Sequence, residues 1–234
     1  MFKKMYPLTL LALLWSVGVY ADPWTGKGEL GFVQVSGNTE SETLNAGFQM
    51  EKKQESWEHK AKAAAVRATS NDVDSAESYL ASWRSRYNFS ERSYAFGDLR
   101  YFDDKFDSFE EIYTAAVGVG RTVIMSDAIN WDLSAGVGYQ QRTVEITKED
   151  ESGITYLLES EYDHKLTETA DFENDTRVEI SQDNTFSQNI ASLSVSINSS
   201  LALKASYEVR HNSDPEPGFK SVDRILSINV VYKF

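Results

Sequence analysis

The chain has 234 residues, 41% of them hydrophobic, with a mean hydropathy of −0.43 and a formal net charge of −13. That length allows one barrel or a couple of small domains, and the low hydropathy argues against a bundle of membrane-spanning helices. So acidic a chain has no electrostatic footprint for nucleic acid, and the absence of cysteine removes thiol catalysis, disulfides and cysteine-ligated metals.

The first element is an export signal over residues 1–21. Lys3 and Lys4 supply its charge, Tyr6 to Val19 is almost uninterrupted apolar sequence, and Val19-Tyr20-Ala21 places small residues where a signal peptidase cuts. An uncleaved anchor helix is the alternative, but the run falls short of the ~20 residues a span needs. Cleavage removes two lysines and leaves 21 basic against 36 acidic side chains, a net of −15.

From Asp22 onward alternation replaces helical periodicity and continues to the end. It predicts an all-β domain over 22–234, with strands near 27–36, 41–54, 56–70, 77–89, 92–104, 109–124, 129–145, 152–165, 168–183, 185–198, 201–213 and 220–234. Tyr79, Ala81, Trp83, Tyr87 and Phe89 alternate with Leu80, Ser82, Arg84, Arg86 and Asn88. Trp131, Leu133, Ala135, Val137 and Tyr139 alternate with Asp132, Ser134, Gly136, Gly138 and Gln140. Two sets of connections separate the strands. One is tight, around Glu55, Ser90-Glu91, Ser126-Asp127, Thr167 and Ser199-Ser200. The other is longer and more acidic: Asn71 to Ala76, Asp103 to Phe109, Ile146 to Glu151 and Asn212 to Phe219, with Gly37-Asn38-Thr39 a short exception. Outer-membrane barrels have short periplasmic turns and longer external loops, which fits an even count of twelve strands with both termini periplasmic.

Alternation alone does not say which face is apolar, since a soluble lipid-binding barrel in the periplasm has the same period with its faces exchanged. Three features favour an apolar exterior. Charges of both signs fill the polar face: Arg84, Arg86, Asp98, Arg100, Asp132, Arg142, Glu159, Glu161, Asp171, Glu173, Arg177, Glu208 and Arg210 are the candidate lumen residues. Aromatic residues gather near strand ends (Tyr79, Phe89, Tyr94, Tyr101, Trp131, Tyr139, Tyr162, Tyr232 and Phe234), as at a lipid–water boundary. Strands of this length also cross an apolar band of ~25 Å at the usual tilt. The expected fold is a single antiparallel transmembrane β-barrel of about twelve strands.

The tail carries the sharpest signal. Leu226, Ile228, Val230, Tyr232 and Phe234 occupy alternate positions, and the sequence given stops on the phenylalanine. It looks like the closing strand of a bacterial outer-membrane barrel, where the barrel-assembly machinery reads such a terminus. The segment Gly28-Glu29-Leu30-Gly31-Phe32-Val33, then Val35-Ser36-Gly37-Asn38-Thr39-Glu40-Ser41-Glu42, resembles the opening of the domain-of-unknown-function 481 family. So do Leu201 to Pro215, Asp223, and Val231-Tyr232-Lys233-Phe234 near the end. Members of that family are often labelled salt-induced outer-membrane proteins. The resemblance implies a barrel in contact with outer-membrane lipid and lipopolysaccharide; it carries no catalytic residue or cofactor.

The search for chemistry yields little. Histidine occurs only at His59, His164 and His211; the strand map puts His59 and His211 toward the outer ends of their strands and His164 toward the periplasmic end. A hydrolase with a rim histidine is the alternative, but no Gly-x-Ser-x-Gly frame accompanies them. The acidic run Asp103, Asp104, Asp107, Glu110, Glu111 has the oxygen ligands a hard cation prefers, without the spacing of a calcium loop. No cofactor, metal or catalytic site is expected. The functional expectation is a non-enzymatic envelope protein with a structural or narrow-pore role, possessing a mild cation preference if water crosses it.

Overall fold

A computed structural model describes residues 24–35, 41–71 and 73–234. Residues 1–21, read as the export signal, and the Gly37-Asn38-Thr39 hairpin lie outside the described residues. The twelve strands are β1 (Thr25–Val35), β2 (Ser41–Gln54), β3 (Trp57–Ser70), β4 (Val73–Asn88), β5 (Ser93–Asp104), β6 (Phe109–Met125), β7 (Ile129–Val144), β8 (Asp150–Lys165), β9 (Ala170–Ile180), β10 (Thr185–Ser196), β11 (Leu201–Asn212) and β12 (Val222–Lys233). Each pairs antiparallel with its sequence neighbours, and β12 returns to β1 to close a barrel. At that seam the registered pairs run from Lys27↔Lys233 to Leu30↔Val230, and Phe234 exchanges backbone hydrogen bonds with Gly26 at 2.9 and 3.0 Å.

The period-two pattern partitions the two faces. Leu226, Ile228 and Val230 stand 68%, 50% and 51% exposed on the outside, whereas Asn229 and Val231 are buried. Leu99, Val117, Val137, Leu158, Leu193 and Leu203 continue the same exposed belt around the other strands. An inward-apolar barrel is thereby ruled out for this fold. Trp57, Tyr87 and Phe89 ring the end where the chain begins and ends; Tyr79, Tyr101, Tyr113, Tyr139 and Tyr156 ring the far end. Tyrosine and tryptophan suit such boundaries because their bodies are apolar and their tips polar.

Tyr94 corrects the expected aromatic belt. It is 4% exposed and lies inside the barrel, on the same side of β5 as Phe96, Asp98 and Arg100. Its ring lies under the Arg86 guanidinium, 3.6 Å from centroid to carbon, and over Gly120, its cross-strand neighbour on β6. A Cβ on Gly120 would overlap the Tyr94 ring, and one on Gly118 would come within 2.6 Å of the Phe96 ring. Gly120→Ala should therefore destabilise by about 1–3 kcal/mol, the usual cost of overpacking. Urea unfolding in detergent micelles should show that Tyr94→Leu in the same chain restores part of the loss; strictly additive costs would contradict this packing.

Two further expectations change. β4 begins at Val73, so the polar stretch 71–76 is mostly strand rather than a long outer connection. Asn71 takes φ 50°, the left-handed conformation a tight turn needs, and Arg67 grips Asp74 across the hairpin at 3.1 Å. Beyond the apolar band a strand needs no apolar face, so polarity there resembles a loop. His59 sits two residues into β3, immediately after the Glu55 turn. It therefore lies at the terminal end of the barrel, the opposite end to the one expected.

Candidate functional site: a bridged lumen

Among the described residues, the interior is where the fold concentrates charged chemistry. Inward positions of β4, β5, β8 and β9 bring Arg84, Asp98, Glu159, Glu161, Arg177 and Glu179 together. Arg84 meets Asp98 at 3.2 Å, Glu161 at 3.3 Å and Glu159 in a shorter contact. Arg177 meets Asp98 at 3.1 Å, Glu159 at 2.7 Å and Glu179 at 2.6 Å. Asp98 and Glu159 thus each bind two guanidiniums, and Ser134 adds a hydroxyl to Glu159 at 3.1 Å. Lys60 joins at Glu161, 3.3 Å away. Lys62 of β3 reaches Asp175 of β9, six strands around a ring of twelve and so diametrically opposite, at 3.7 Å. A cavity of about 170 Å³ remains among these side chains.

Toward the far end a drier layer closes the barrel. Phe102, Phe109, Ile112 and Val144 form a buried apolar cluster. The guanidiniums of Arg100 and Arg210 lie 4.8 and 4.9 Å from the Phe102 ring, and Arg142 lies 4.0 Å from that of Phe109. Arg210 also bonds Asp104 across the barrel at 2.7 Å, and Arg142 bonds Glu151 at 2.7 Å. The β5–β6 connection tucks Asp107 inward, where it accepts the Ser108 N–H at 2.6 Å and the Asn212 amide at 2.9 Å. Burial pushes the Asp107 carboxyl above its ordinary range in spite of those two donors.

Toward the terminal end the interior opens into a polar vestibule of about 540 Å³. Glu51, Glu55, Glu58, Glu91, Asp132, Glu161 and Asp163 line it against Lys53, Lys60 and Arg86. Arg86 approaches Asp132 at 3.5 Å, and Asn130 donates to Asp132 at 2.9 Å. Beside the seam, Lys204 binds Glu29 at 3.0 Å, and Lys27 binds Glu173 at 3.5 Å. The interior is therefore a cup, open at the terminal end, crossed by ion pairs at mid-depth and capped at the far end.

A family model described as "Protein of unknown function, DUF481" matches residues 28–234. The chain belongs to that family. A relative, Uncharacterized protein YdiY of Escherichia coli (strain K12), is 28% identical over 213 residues, covering 90% of this chain and 83% of its own. Among solved structures, the NanC porin superposes with a TM-score of 0.53 at 8% identity, over 90% of this chain and 98% of its own. An outer membrane channel of Pseudomonas putida F1 gives 0.56 at 6% identity, over 93% and 97%. Identities this low show a shared fold and nothing finer.

In this DUF481 chain the thirteen candidate lumen residues all point inward; Asp171 lies beside the vestibule with Asp163 and Glu173, and Glu208 holds Arg210. Sequence reasoning missed Lys60, Lys62, Glu179, Lys27, Glu29 and Lys204. Parity was the available signal: Glu179 shares it with Arg177, and Lys60 and Lys62 share it with Glu58. The acidic run does not converge on one point. Asp103 pairs with Lys105 at 3.0 Å, Asp104 with Arg210 at 2.7 Å, and Glu110 with Lys148 at 2.8 Å. The described residues contain no metal-ligating group of three or more. All three histidines face outward. His59 contacts Ser85 Oγ at 3.0 Å between the rings of Trp57 and Trp83, and His164 contacts the Tyr162 hydroxyl at 3.2 Å.

Proposed function

We propose that this protein is an integral barrel of the Gram-negative outer membrane, non-enzymatic, whose ion-bridged lumen is a narrow, normally closed path. In this reading residues 1–21 are a cleaved signal, residues 22–234 the membrane domain, and both termini are periplasmic. The barrel-assembly machinery recognises Leu226, Ile228, Val230, Tyr232 and Phe234, and the far end meets lipopolysaccharide. A role in salt or envelope stress rests on the family's label alone.

One observation carries the reading: the ion pairs of Arg84 and Arg177 with Asp98 and Glu159 span the interior where an open porin would hold water. The vestibule beneath them is rich in carboxylates, which favours cations at its mouth. Refolded protein in a planar bilayer should give rare, small, cation-preferring current steps. Silence at every voltage would eliminate the pore and leave the structural role, and anion preference would overturn the role given to the vestibule carboxylates.

A further inference from the structure

We propose that the outward face of β9 and β10 docks a second copy of this chain within the membrane. The inference rests on the membrane placement proposed above. Elsewhere the mid-strand exterior is apolar, but here Asn174, Thr176 and Asn189 point outward. Asn189 donates to Asn174 Oδ1 at 3.1 Å and to Thr176 Oγ1 at 2.7 Å, and Asn174 donates back to Asn189 Oδ1 at 3.3 Å. Ser160, opposite Thr176 on β8, accepts the Trp131 indole N–H at 2.9 Å. Leu158 and Val178 form the next outward pair in the direction of the far end, and Leu193 and Val195 continue β10 toward the terminal end, so the patch sits inside the apolar band.

Those contacts leave hydrogen-bonding capacity unused. A carboxamide offers two N–H donors and two oxygen lone pairs, and a hydroxyl offers one donor and two. Asn174 keeps one N–H, both amide oxygens keep a lone pair, and Thr176 and Ser160 keep hydroxyl protons. Acyl chains satisfy none of these. Amides and hydroxyls both donate and accept, so the patch complements itself when a second copy is turned about a two-fold axis along the membrane normal. Ala191, paired with Asn174, keeps the wall low enough for a second wall to approach.

The chain has no cysteine, so single cysteines report contacts without background. Ala191→Cys lies in the patch; Ala63→Cys faces outward on β3, far around the ring. In lipid-diluted proteoliposomes, oxidation should link Ala191→Cys into a covalent dimer and leave Ala63→Cys monomeric. Adding Asn174→Leu and Asn189→Leu should cut the dimer yield about threefold or more, as expected for interhelical-type polar contacts in lipid. Heat-modifiable gel mobility confirms that each variant is folded. Should the double leucine variant fold poorly, Ala191→Trp tests the same contact by bulk, with Leu193→Cys as the reporter. Equal yields at both positions, or a yield unchanged by the leucines or the tryptophan, overturn the proposal. Failure of the wild type to float with liposomes would instead overturn the membrane placement.

Discussion

Glu159→Ala should lower the free energy of unfolding in detergent by about 3–5 kcal/mol, the range for removing one partner of a buried ion pair. Glu159 is the acceptor shared by Arg84 and Arg177, and the side chains of all three are 15% exposed or less. Without it, the two guanidiniums share only Asp98, and each keeps one further carboxylate, Glu161 for Arg84 and Glu179 for Arg177. The loss comes from positive charge left less fully compensated in a buried site rather than from a lost attraction, because pairing barely repays desolvation there. Arg177→Met added to Glu159→Ala should therefore recover part of the stability, and a denaturant double-mutant cycle measures the coupling. Costs that simply add would show that water already solvates these groups and that the lumen is open at this depth. The same variant should raise conductance, since Glu159 and Arg177 together occupy the centre of the path.

The strands were legible because lipid and lumen impose opposite chemistries on successive residues, so alternation over Trp131–Tyr139 or Leu226–Phe234 has one reading. Where the apolar band ends, so does the rule, which is why Val73–Ala76 reads as loop although it is strand. At Tyr94 two signals conflict, the habit of tyrosine at boundaries and the parity it shares with Asp98 and Arg100, and parity decides. The inward glycines of β6 and β7 were the hint that a large ring needed room on that side. The place of His59 follows from strand direction: β3 leaves the terminal end, so its early residues stay there. Charges of both signs on one face imply a cross-linked lumen, but which of them pair is not legible. Lys62 meets Asp175, and Arg210 meets Asp104, only because ring size and strand stagger set which walls face each other. Neither quantity is written in any local stretch of sequence.

Phe102→Ala should both destabilise the barrel and open its far end. Phe102 is 2% exposed, packs with Phe109, Ile112 and Val144, and has the guanidiniums of Arg100 and Arg210 nearby. Truncating a buried phenylalanine costs about 3–5 kcal/mol through lost transfer energy and the cavity left behind. That cavity would lie between the mid-depth ion pairs and the tucked 105–108 connection, so water would gain a foothold in the layer that closes the cup. Single-channel recordings should show larger or more frequent steps than the wild type, while the Asp107–Asn212 latch still holds the loop. The latch itself should survive acidification. Burial raises the Asp107 carboxyl, so ionisation is what costs stability there; the cost is full above its folded pKa and vanishes below its unfolded one. If Asp107 governs the opening, the increase seen with Phe102→Ala should shrink as the pH is lowered in matched salt and the Asp107 carboxyl protonates. A Phe102→Ala barrel that stays as quiet as the wild type would place the closure in the ion pairs alone and demote the apolar layer to ordinary packing.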